Sequence, residues 1–442
     1  MLAVIGAGPA GLFAARELAN QGAQVFILNR DIKPGGLAEY GIYPGKTKMK
    51  EGLRSQFQQL LNTPNIHYYG NLVIGLHGDL TLDDLRQMGF QALLVAVGAQ
   101  GTKWLGIPGE DLRGVYHAKD LVYHYNLLPP YSEMEFPIGK RVAVIGVGNV
   151  MMDIAHWLLD EQKVDEVIAV ARRGPAEVKF DKKELEAIVG YVDMPAMQME
   201  IQRATPQMLD LGQDPDELRR TLAGLLEKQP PPRNGMSFRM QFLASPVRIL
   251  GDTQGQVCGL EVEQTMLVRT ATGDTVAHGM GLYQTLDVDT VIFAIGDQVD
   301  SSLGLPVKGT EFLKNPQPRY PIEGNSYEVF DPEKNQVIED IFVAGWARKA
   351  STGLVGLARK DGTNGARALL QYLATLPPRP ADVDGVTERL RALNKPLVSR
   401  DDLFRLQAVE RERAAQLGLP DFKFEHNLEM LQVMGLVHPL VK

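Results

Sequence analysis

The segment LAVIGAGPAGLFAARELAN, residues 2–20, decides the fold. Its first four residues are apolar and predict a buried strand, whereas Leu12–Asn20 has the composition of a helix. Between them, Gly6, Gly8 and Gly11 form the pattern G-x-G-x-x-G. In such a loop the first glycine permits a tight turn, the second lets the backbone approach a pyrophosphate, and the third lets helix and strand pack closely. The segment therefore predicts a dinucleotide-binding βαβ unit.

A second segment of this kind begins with the apolar run Arg141–Ile145. Gly146 and Gly148 take the first two glycine positions, and Met151 takes the third. The bulk of Met151 opposes close helix packing, so this motif alone is weaker than the first. Both motifs lie among alternating strand and helix signals, which predict parallel sheets with crossover helices and hence two nucleotide-binding halves.

Two arginines end the strand after the second motif. Arg172 and Arg173 follow Val167–Val170 and stand where an NAD site would place a carboxylate. Guanidinium groups at this point suit the 2′-phosphate of NADP, so the pair predicts NADP as the second nucleotide. The alternative interpretation is that both are solvated surface charges.

The first half lacks the acidic residue that such a site usually carries. Asn29 stands at the end of the second strand, where a carboxylate would hold the ribose hydroxyls. An amide oxygen can still accept a hydrogen bond, and Asp31 lies two residues further. We predict Asn29 as the ribose ligand, with Asp31 as the alternative.

Composition excludes several classes of protein. Cys258 is the only cysteine among 442 residues, so this chain carries no Cys-x-x-Cys redox pair and no four-cysteine iron–sulfur site. A net charge of -8 disfavours a general nucleic-acid binder. No apolar run reaches the roughly 18 residues of a membrane span, and the first one lacks the basic flank of a secretory signal. We expect a cytoplasmic protein without a metal site.

Five ordered motifs extend this pattern over nearly the whole chain. They are Gly35–Leu37 with Tyr40–Ile42, Ile107–Glu110 with Gly114–Val115, Gly148–Val150 with Asp153, Arg172–Pro175, and Gly345–Trp346 followed by Thr352–Gly353. Together they resemble the adrenodoxin-reductase type of ferredoxin–NADP reductase, a relative of the glutamate synthase small subunit. The resemblance implies an α/β fold with two Rossmann-like domains. We expect an FAD domain of residues 1–105 and 330–442, the second part with a C-terminal extension, interrupted by an NADP domain of residues 106–329.

The resemblance also implies which residues contact the cofactors. For FAD they are Gly6, Gly8, Pro9, Ala10, Gly11, Asn29, Gly36, Leu37, Leu72, Gly345, Trp346, Gly353, Leu354 and Val355. For NADP they are Val147, Gly148, Asn149, Val150, Arg172, Arg173 and Glu184, with Gly353 where both cofactors meet. Trp346 follows a buried strand, where its ring either covers the flavin or is plain core.

Asp153 is the candidate polar active-site residue, because in the family this position faces the flavin side. The other interpretation, equally open, is a first-turn partner of the helix dipole. The chain departs from the family at three positions: Asn29 replaces a glutamate, Met151 replaces a small residue, and Lys46 replaces a histidine near the flavin.

The implied function is an oxidoreductase in which NADPH reduces FAD and single electrons then pass to a ferredoxin-like iron–sulfur protein, or the reverse. An acidic partner would need a local basic surface, and a stretch of the NADP domain offers Arg219, Arg220, Lys228, Arg233 and Arg239, unless these form only a solvated helix face. Two alternatives stay open. One is the flavin subunit of a larger complex such as glutamate synthase, whose cysteine-rich N-terminal domain we do not expect here because the first strand begins at Leu2. The other is a non-catalytic nucleotide-sensing protein.

Overall fold

The computed structural model describes residues 1–227, 235–271, 273–350, 353 and 355–438. The predicted contact residue Leu354, the motif residue Thr352 and two of the basic residues, Lys228 and Arg233, lie outside this description. None of the helices in the described ranges combines the length and the apolar character needed to cross a membrane.

Strands and helices alternate along most of the described chain. The strands are β1 (Leu2–Ile5), β2 (Val25–Leu28), β3 (Ile66–Tyr69), β4 (Ala92–Val95), β5 (Gly101–Thr102), β6 (Val115–His117), β7 (Arg141–Ile145), β8 (Glu166–Val170), β9 (Ser237–Gln241), β10 (Ala244–Gly251), β11 (Val257–Arg269), β12 (Thr275–Leu286), β13 (Thr290–Phe293), β14 (Asp297–Gln298), β15 (Val307–Lys308), β16 (Glu311–Phe312), β17 (Glu328–Asp331) and β18 (Gln336–Val343). The helices are α1 (Pro9–Asn20), α2 (Leu37–Tyr40), α3 (Thr47–Leu61), α4 (Leu82–Gln87), α5 (Ala118–Tyr125), α6 (Asn149–Asp160), α7 (Lys182–Ile188), α8 (Met194–Asp210), α9 (Glu217–Leu226), α10 (Val355–Leu373), α11 (Val383–Arg391), α12 (Arg400–Leu417) and α13 (Asn427–Val433).

The chain divides into two compact units. Unit 1 comprises residues 1–102, 123–133 and 296–442, and unit 2 comprises residues 103–122 and 134–295. Unit 2 is thus inserted into the chain of unit 1, and a short segment of unit 1 interrupts it. The boundaries expected from the sequence, 105/106 and 329/330, were placed on motifs and stay a prediction.

Unit 1 is built on a six-stranded sheet in the order β17-β18-β4-β1-β2-β3. Strands β18, β4, β1, β2 and β3 run parallel, and only β17 pairs antiparallel. The four residues of β1 are at most 3% exposed, because helices cover both faces of a parallel sheet. This burial explains why the strands are continuous apolar runs.

Unit 2 contains two sheets of different kinds. A parallel sheet has the order β6-β13-β7-β8-β9, and an antiparallel sheet has the order β10-β11-β12. The parallel sheet carries the second glycine motif at the carboxyl end of β7. The long antiparallel strands were not predicted from the sequence.

Candidate dinucleotide-binding sites

The first glycine loop has the geometry that its sequence predicts. Gly6 adopts a φ of +101°, and a Cβ there would lie 2.6 Å from the carbonyl oxygen of Ala96. A Cβ at Gly11 would lie 2.0 Å from the carbonyl oxygen of Gly6, because α1 packs directly on the turn. At Gly8 no described atom lies within 4 Å of an added Cβ. The loop therefore packs against the protein at Gly6 and Gly11 and is open at Gly8.

Helix α1 begins at this open point. Gly8 is its N-cap, Pro9 opens the first turn, and among the described residues no side chain caps this end. Uncapped backbone N–H groups and the positive end of the helix dipole favour an anion here. A pyrophosphate approaching Gly8 fits both the open space and the charge.

Asn29 lies directly behind the loop and supports it. Its Oδ1 accepts a hydrogen bond of 2.9 Å from the backbone N–H of Ala7, and its Nδ2 donates to the carbonyl oxygens of Asp31 (2.8 Å) and Lys33 (3.2 Å). The residue is only 7% exposed. The structure thus gives Asn29 a role in shaping the loop, and its assignment as ribose ligand stays a prediction.

The segment after β2 closes on the glycine loop. The N–H of Gly35 donates to the carbonyl oxygen of Ala7 at 2.7 Å, and a Cβ on Gly36 would lie 3.3 Å from the Cα of Gly8. Leu37 then begins the four-residue helix α2. The predicted contact residues Gly36 and Leu37 are therefore brought to the loop. Leu72 also approaches it, because its N–H bonds to the carbonyl oxygen of Asn29 at 2.9 Å.

The turn after β18 meets the same loop from another side. A Cβ on Gly345 would lie 2.6 Å from the Cβ of Ala10, and the N–H of Gly345 donates to Asp361 Oδ2 at 2.6 Å. Trp346 follows in this turn and is partly buried. Arg348 pairs with Asp361 at 2.6 Å. Although burial alone would lower the pKa of Arg348, the carboxylate of Asp361 raises it above its ordinary value.

The last predicted flavin contacts lie at the start of α10. Gly353 adopts a φ of +79° and is exposed, and Val355 begins the helix. The structure brings Asn29, Leu72 and Gly345 to the first glycine loop, and the contact of Gly353 with the flavin stays a prediction. Asp361 was missed by sequence analysis, because an aspartate within a helix carries no local signal of its partner 16 residues away.

The second glycine loop, in unit 2, resembles the first: its second glycine is also open to a ligand. Gly146 has a φ of +128°, and a Cβ there would lie 2.3 Å from the carbonyl oxygen of Ala294. Gly148 is the N-cap of α6, and an added Cβ would meet no described atom within 4 Å. Met151 is fully buried in the first turns of the helix. Its bulk is thus accommodated, and the strand–turn–helix unit forms.

Asn149 on α6 and Asp181, the N-cap of α7, order the surroundings of this loop. Asn149 Nδ2 donates to Asp181 Oδ2 at 2.8 Å, and the N–H of Asp181 returns a bond of 2.7 Å to Asn149 Oδ1. Val147 accepts from the N–H of Lys179 at 2.9 Å. Glu184 lies in the first turn of α7 and is partly buried.

The predicted residues Val150 and Asp153 lie on α6. Val150 is 45% exposed, next to the open Gly148. Asp153 is partly buried one turn further. The role of Asp153 as an active-site residue stays a prediction.

The two arginines after β8 differ in their surroundings. Arg172 is exposed, and its carbonyl oxygen accepts from Thr265 Oγ1 at 2.7 Å, which fixes the backbone while leaving the side chain at the surface. Arg173 lies 3.8 Å from Glu177 and lines a polar cavity of 580 Å³ that Arg269 also lines. Both guanidinium groups belong to the same unit as the second glycine loop.

Comparison with known proteins identifies relatives of the chain. Residues 1–191 match the family model described as pyridine nucleotide-disulphide oxidoreductase. The chain is 27% identical over 400 residues to the mitochondrial NADPH:adrenodoxin oxidoreductase of Arabidopsis thaliana, which covers 80% of this chain and 78% of that protein. It is 28% identical over 473 residues to the NADPH-ferredoxin reductase FprA of Mycobacterium tuberculosis, covering 98% of each. The chain is homologous to the adrenodoxin reductases.

Structural comparison agrees with this homology to the adrenodoxin reductases. The solved structure of Mycobacterium tuberculosis FprA in complex with NADPH matches with a TM-score of 0.81 and 26% identity, covering 98% of this chain and 99% of that one. The resemblance predicted from five motifs is thereby confirmed, as is the α/β fold with two Rossmann-like domains. Each glycine loop fits the diphosphate of a dinucleotide, since each has its open glycine at a helix N-terminus.

Proposed function

We propose that this chain is an FAD-dependent reductase that transfers electrons between NADPH and a ferredoxin-type iron–sulfur protein. The observation that carries the proposal is the pair of glycine loops, each with one glycine open to a ligand at the N-terminus of a helix. The predicted oxidoreductase class is confirmed by the family model and by the reductase names of the relatives.

When bound, FAD supplies a flavin that accepts two electrons as a hydride and releases them singly. In unit 1, Gly8 and the N-terminus of α1 would bind the pyrophosphate of FAD, Gly36 and Leu37 would close the loop over it, and Trp346 would contact the flavin. In unit 2, Gly148 would admit the pyrophosphate of NADPH, and Arg172 and Arg173 would hold its 2′-phosphate. We place the protein in the cytoplasm.

The purified chain, reconstituted with FAD, provides the test. We expect a yellow protein whose flavin absorption bleaches with NADPH under anaerobic conditions, and whose oxidation then requires two equivalents of ferredoxin per NADPH. A colourless protein that takes up no FAD, or a flavoprotein that NADPH does not reduce, would contradict the proposal. A flavoprotein that reduces dyes but none of a panel of ferredoxins would refute only the partner.

Nucleotide choice is tested at the two arginines. Loss of one charge-assisted hydrogen bond costs about 1.5–3 kcal/mol, so Arg172→Gln should raise KM for NADPH by about 10- to 100-fold and leave KM for NADH unchanged. Arg248→Gln, on β10, exposed and paired with Glu261 at 3.2 Å, is the matched control. Equal effects of Arg172→Gln on both nucleotides would contradict a role at the 2′-phosphate.

A further inference from the structure

Charged side chains gather around Glu39 of α2 in unit 1, and we call this group, of which four members are buried and two partly exposed, the Glu39 cluster. Its members are Lys33, Glu39, Arg54, Glu410, Asp421 and Lys423. Glu39 is 2% exposed, and Arg54 binds both of its carboxylate oxygens at 2.7 Å. Lys423 lies 3.0 Å and Lys33 3.5 Å from the same carboxylate. A buried carboxylate is stable only when it is paired in this way.

Half of the cluster comes from the C-terminal segment, residues 400–424. Glu410 of α12 accepts from Lys33 Nζ at 2.8 and 3.0 Å, and Asp421 accepts from Arg54 at 2.8 and 3.0 Å. Lys423 donates to the carbonyl oxygen of Glu39 at 2.9 Å. Although burial alone would raise the pKa of Glu39, the cations Lys33, Lys423 and Arg54 hold it well below its ordinary value.

The cluster connects to the first glycine loop through a chain of hydrogen bonds. Lys33, held by Glu410, accepts at its carbonyl oxygen from Asn29 Nδ2 at 3.2 Å. Asn29 in turn accepts from the N–H of Ala7 at 2.9 Å, and Gly35 donates to the carbonyl oxygen of Ala7 at 2.7 Å. The C-terminal segment therefore contacts the residues that shape the loop.

The loop after β2 needs such outside support. Helix α2 has four residues and follows Gly36, whose φ is +51°. A helix of one turn is not stable by itself, because nucleation costs more than one turn of hydrogen bonds returns. Its conformation must come from tertiary contacts, and Glu39 is fully buried within α2.

We propose that Glu410, Asp421 and Lys423 are positioning residues for FAD: the C-terminal segment holds residues 33–40 in the conformation that closes the first glycine loop. This inference rests on the proposed FAD site. It gives the C-terminal segment a function in cofactor binding, exerted through Lys33 and Glu39 without contact with the flavin.

The test compares Glu410→Gln with Glu412→Gln. Both remove one charge from α12, but Glu412 is exposed and contacts only Gln416 among its recorded partners. FAD titration of the apoproteins, at a temperature where circular dichroism shows each folded, should give a dissociation constant at least about tenfold higher for Glu410→Gln, a change of ~1.4 kcal/mol. Glu412→Gln should bind FAD like the wild type.

Hydrogen exchange separates this effect from general destabilisation. In the apoprotein, Glu410→Gln should accelerate exchange in residues 33–42 and leave residues 141–160 of unit 2 unchanged. Should Glu410→Gln fail to fold, Asp421→Asn replaces it, since Asp421 is 31% exposed and pairs with Arg54 alone in the cluster. Wild-type FAD affinity and wild-type exchange in the folded variant would overturn the inference. If Glu410→Gln accelerates exchange in residues 33–42 but the wild-type chain itself binds no FAD, the proposed function is refuted, whereas the C-terminal segment still holds residues 33–40.

Discussion

At the residue scale, alanine substitutions at Gly8 and Gly11 should have different effects: the first on FAD binding, the second on the fold. Gly8 has φ -73° and ψ 178°, which alanine adopts without strain, and its Cβ would meet no described atom within 4 Å. Gly8→Ala should therefore leave the fold intact and place a methyl group where the pyrophosphate approaches, raising the FAD dissociation constant by about 10- to 100-fold. FAD titration of the apoprotein measures this.

Gly52→Ala is the control for Gly8→Ala, because its Cβ on α3 also meets no described atom within 4 Å. It should bind FAD like the wild type. Gly11→Ala should instead lower the free energy of unfolding, because its Cβ would lie 2.0 Å from a backbone oxygen. Unchanged FAD affinity in Gly8→Ala would show that no diphosphate lies at this glycine.

The buried side chain of Lys50 should make the free energy of unfolding depend on pH. It is 3% exposed, and burial followed by the nearby charge of Lys423 lowers its pKa from 10.5 to about 7. Between these values the unfolded chain binds one proton more than the folded chain, so stability rises with pH across this window. Lys50→Met should remove that rise, which urea unfolding from pH 7 to pH 9.5 measures. Lys48→Met, exposed on the same helix, should retain it, and an equal slope in both variants would contradict the prediction.

Sequence analysis correctly placed Arg172, Arg173 and Asn29 just after the carboxyl ends of their strands, because the end of a strand can be located from its apolar run. It could not give the partners of these side chains. The bonds of Asn29 to Ala7 and Lys33 depend on how the loop folds back, which the pattern of residues does not specify.

At the scale of elements, the contact between α1 and α10 controls the first site. A Cβ on Gly362 would lie 2.1 Å from the carbonyl oxygen of Ala10, so Gly362→Ala must separate the two helices. We expect a loss of about 1–3 kcal/mol in the free energy of unfolding, as for other overpacked sites, together with weaker FAD binding. Thermal unfolding and FAD titration measure the two effects.

Gly356→Ala is the matched control, since it lies on the same helix and its Cβ would meet no described atom. An exposed glycine in a helix costs roughly 0.5–1 kcal/mol relative to alanine, so this variant should be slightly more stable. If Gly362→Ala were as stable as Gly356→Ala, the close approach of the two helices would be contradicted.

The elements that sequence analysis found best are those buried on both faces. The run predicted as Arg141–Ile145 is β7 itself, and four of its five residues are buried. Strand β12 escaped notice because most of its residues are exposed, which removes the apolar periodicity of a half-buried strand. The Glu39 cluster could not be predicted either, since its partners lie up to 384 residues apart.

At the scale of the whole molecule, the acidic ferredoxin expected as partner would have to dock on a local basic surface of an acidic chain. The net charge is -8, and the predicted docking arginines are locally neutralised: Arg219 pairs with Asp216 at 2.7 Å, and Arg220 pairs with Asp214. Arg239 pairs with Glu166. Exposed pairs of this kind contribute little to stability, so their charges can be changed without unfolding the protein.

Reversing the arginine charges and neutralising their aspartate partners should change the rate of ferredoxin reduction in opposite directions. Arg219→Glu with Arg220→Glu should slow ferredoxin reduction, whereas Asp214→Asn with Asp216→Asn should accelerate it, because electrostatic steering raises association rates. Both differences should shrink as salt rises, since screening weakens steering. NADPH-to-ferricyanide transfer should stay constant in both double variants. If both lost ferredoxin and ferricyanide reduction to the same degree, the damage would lie in the fold and ferredoxin would dock on another surface.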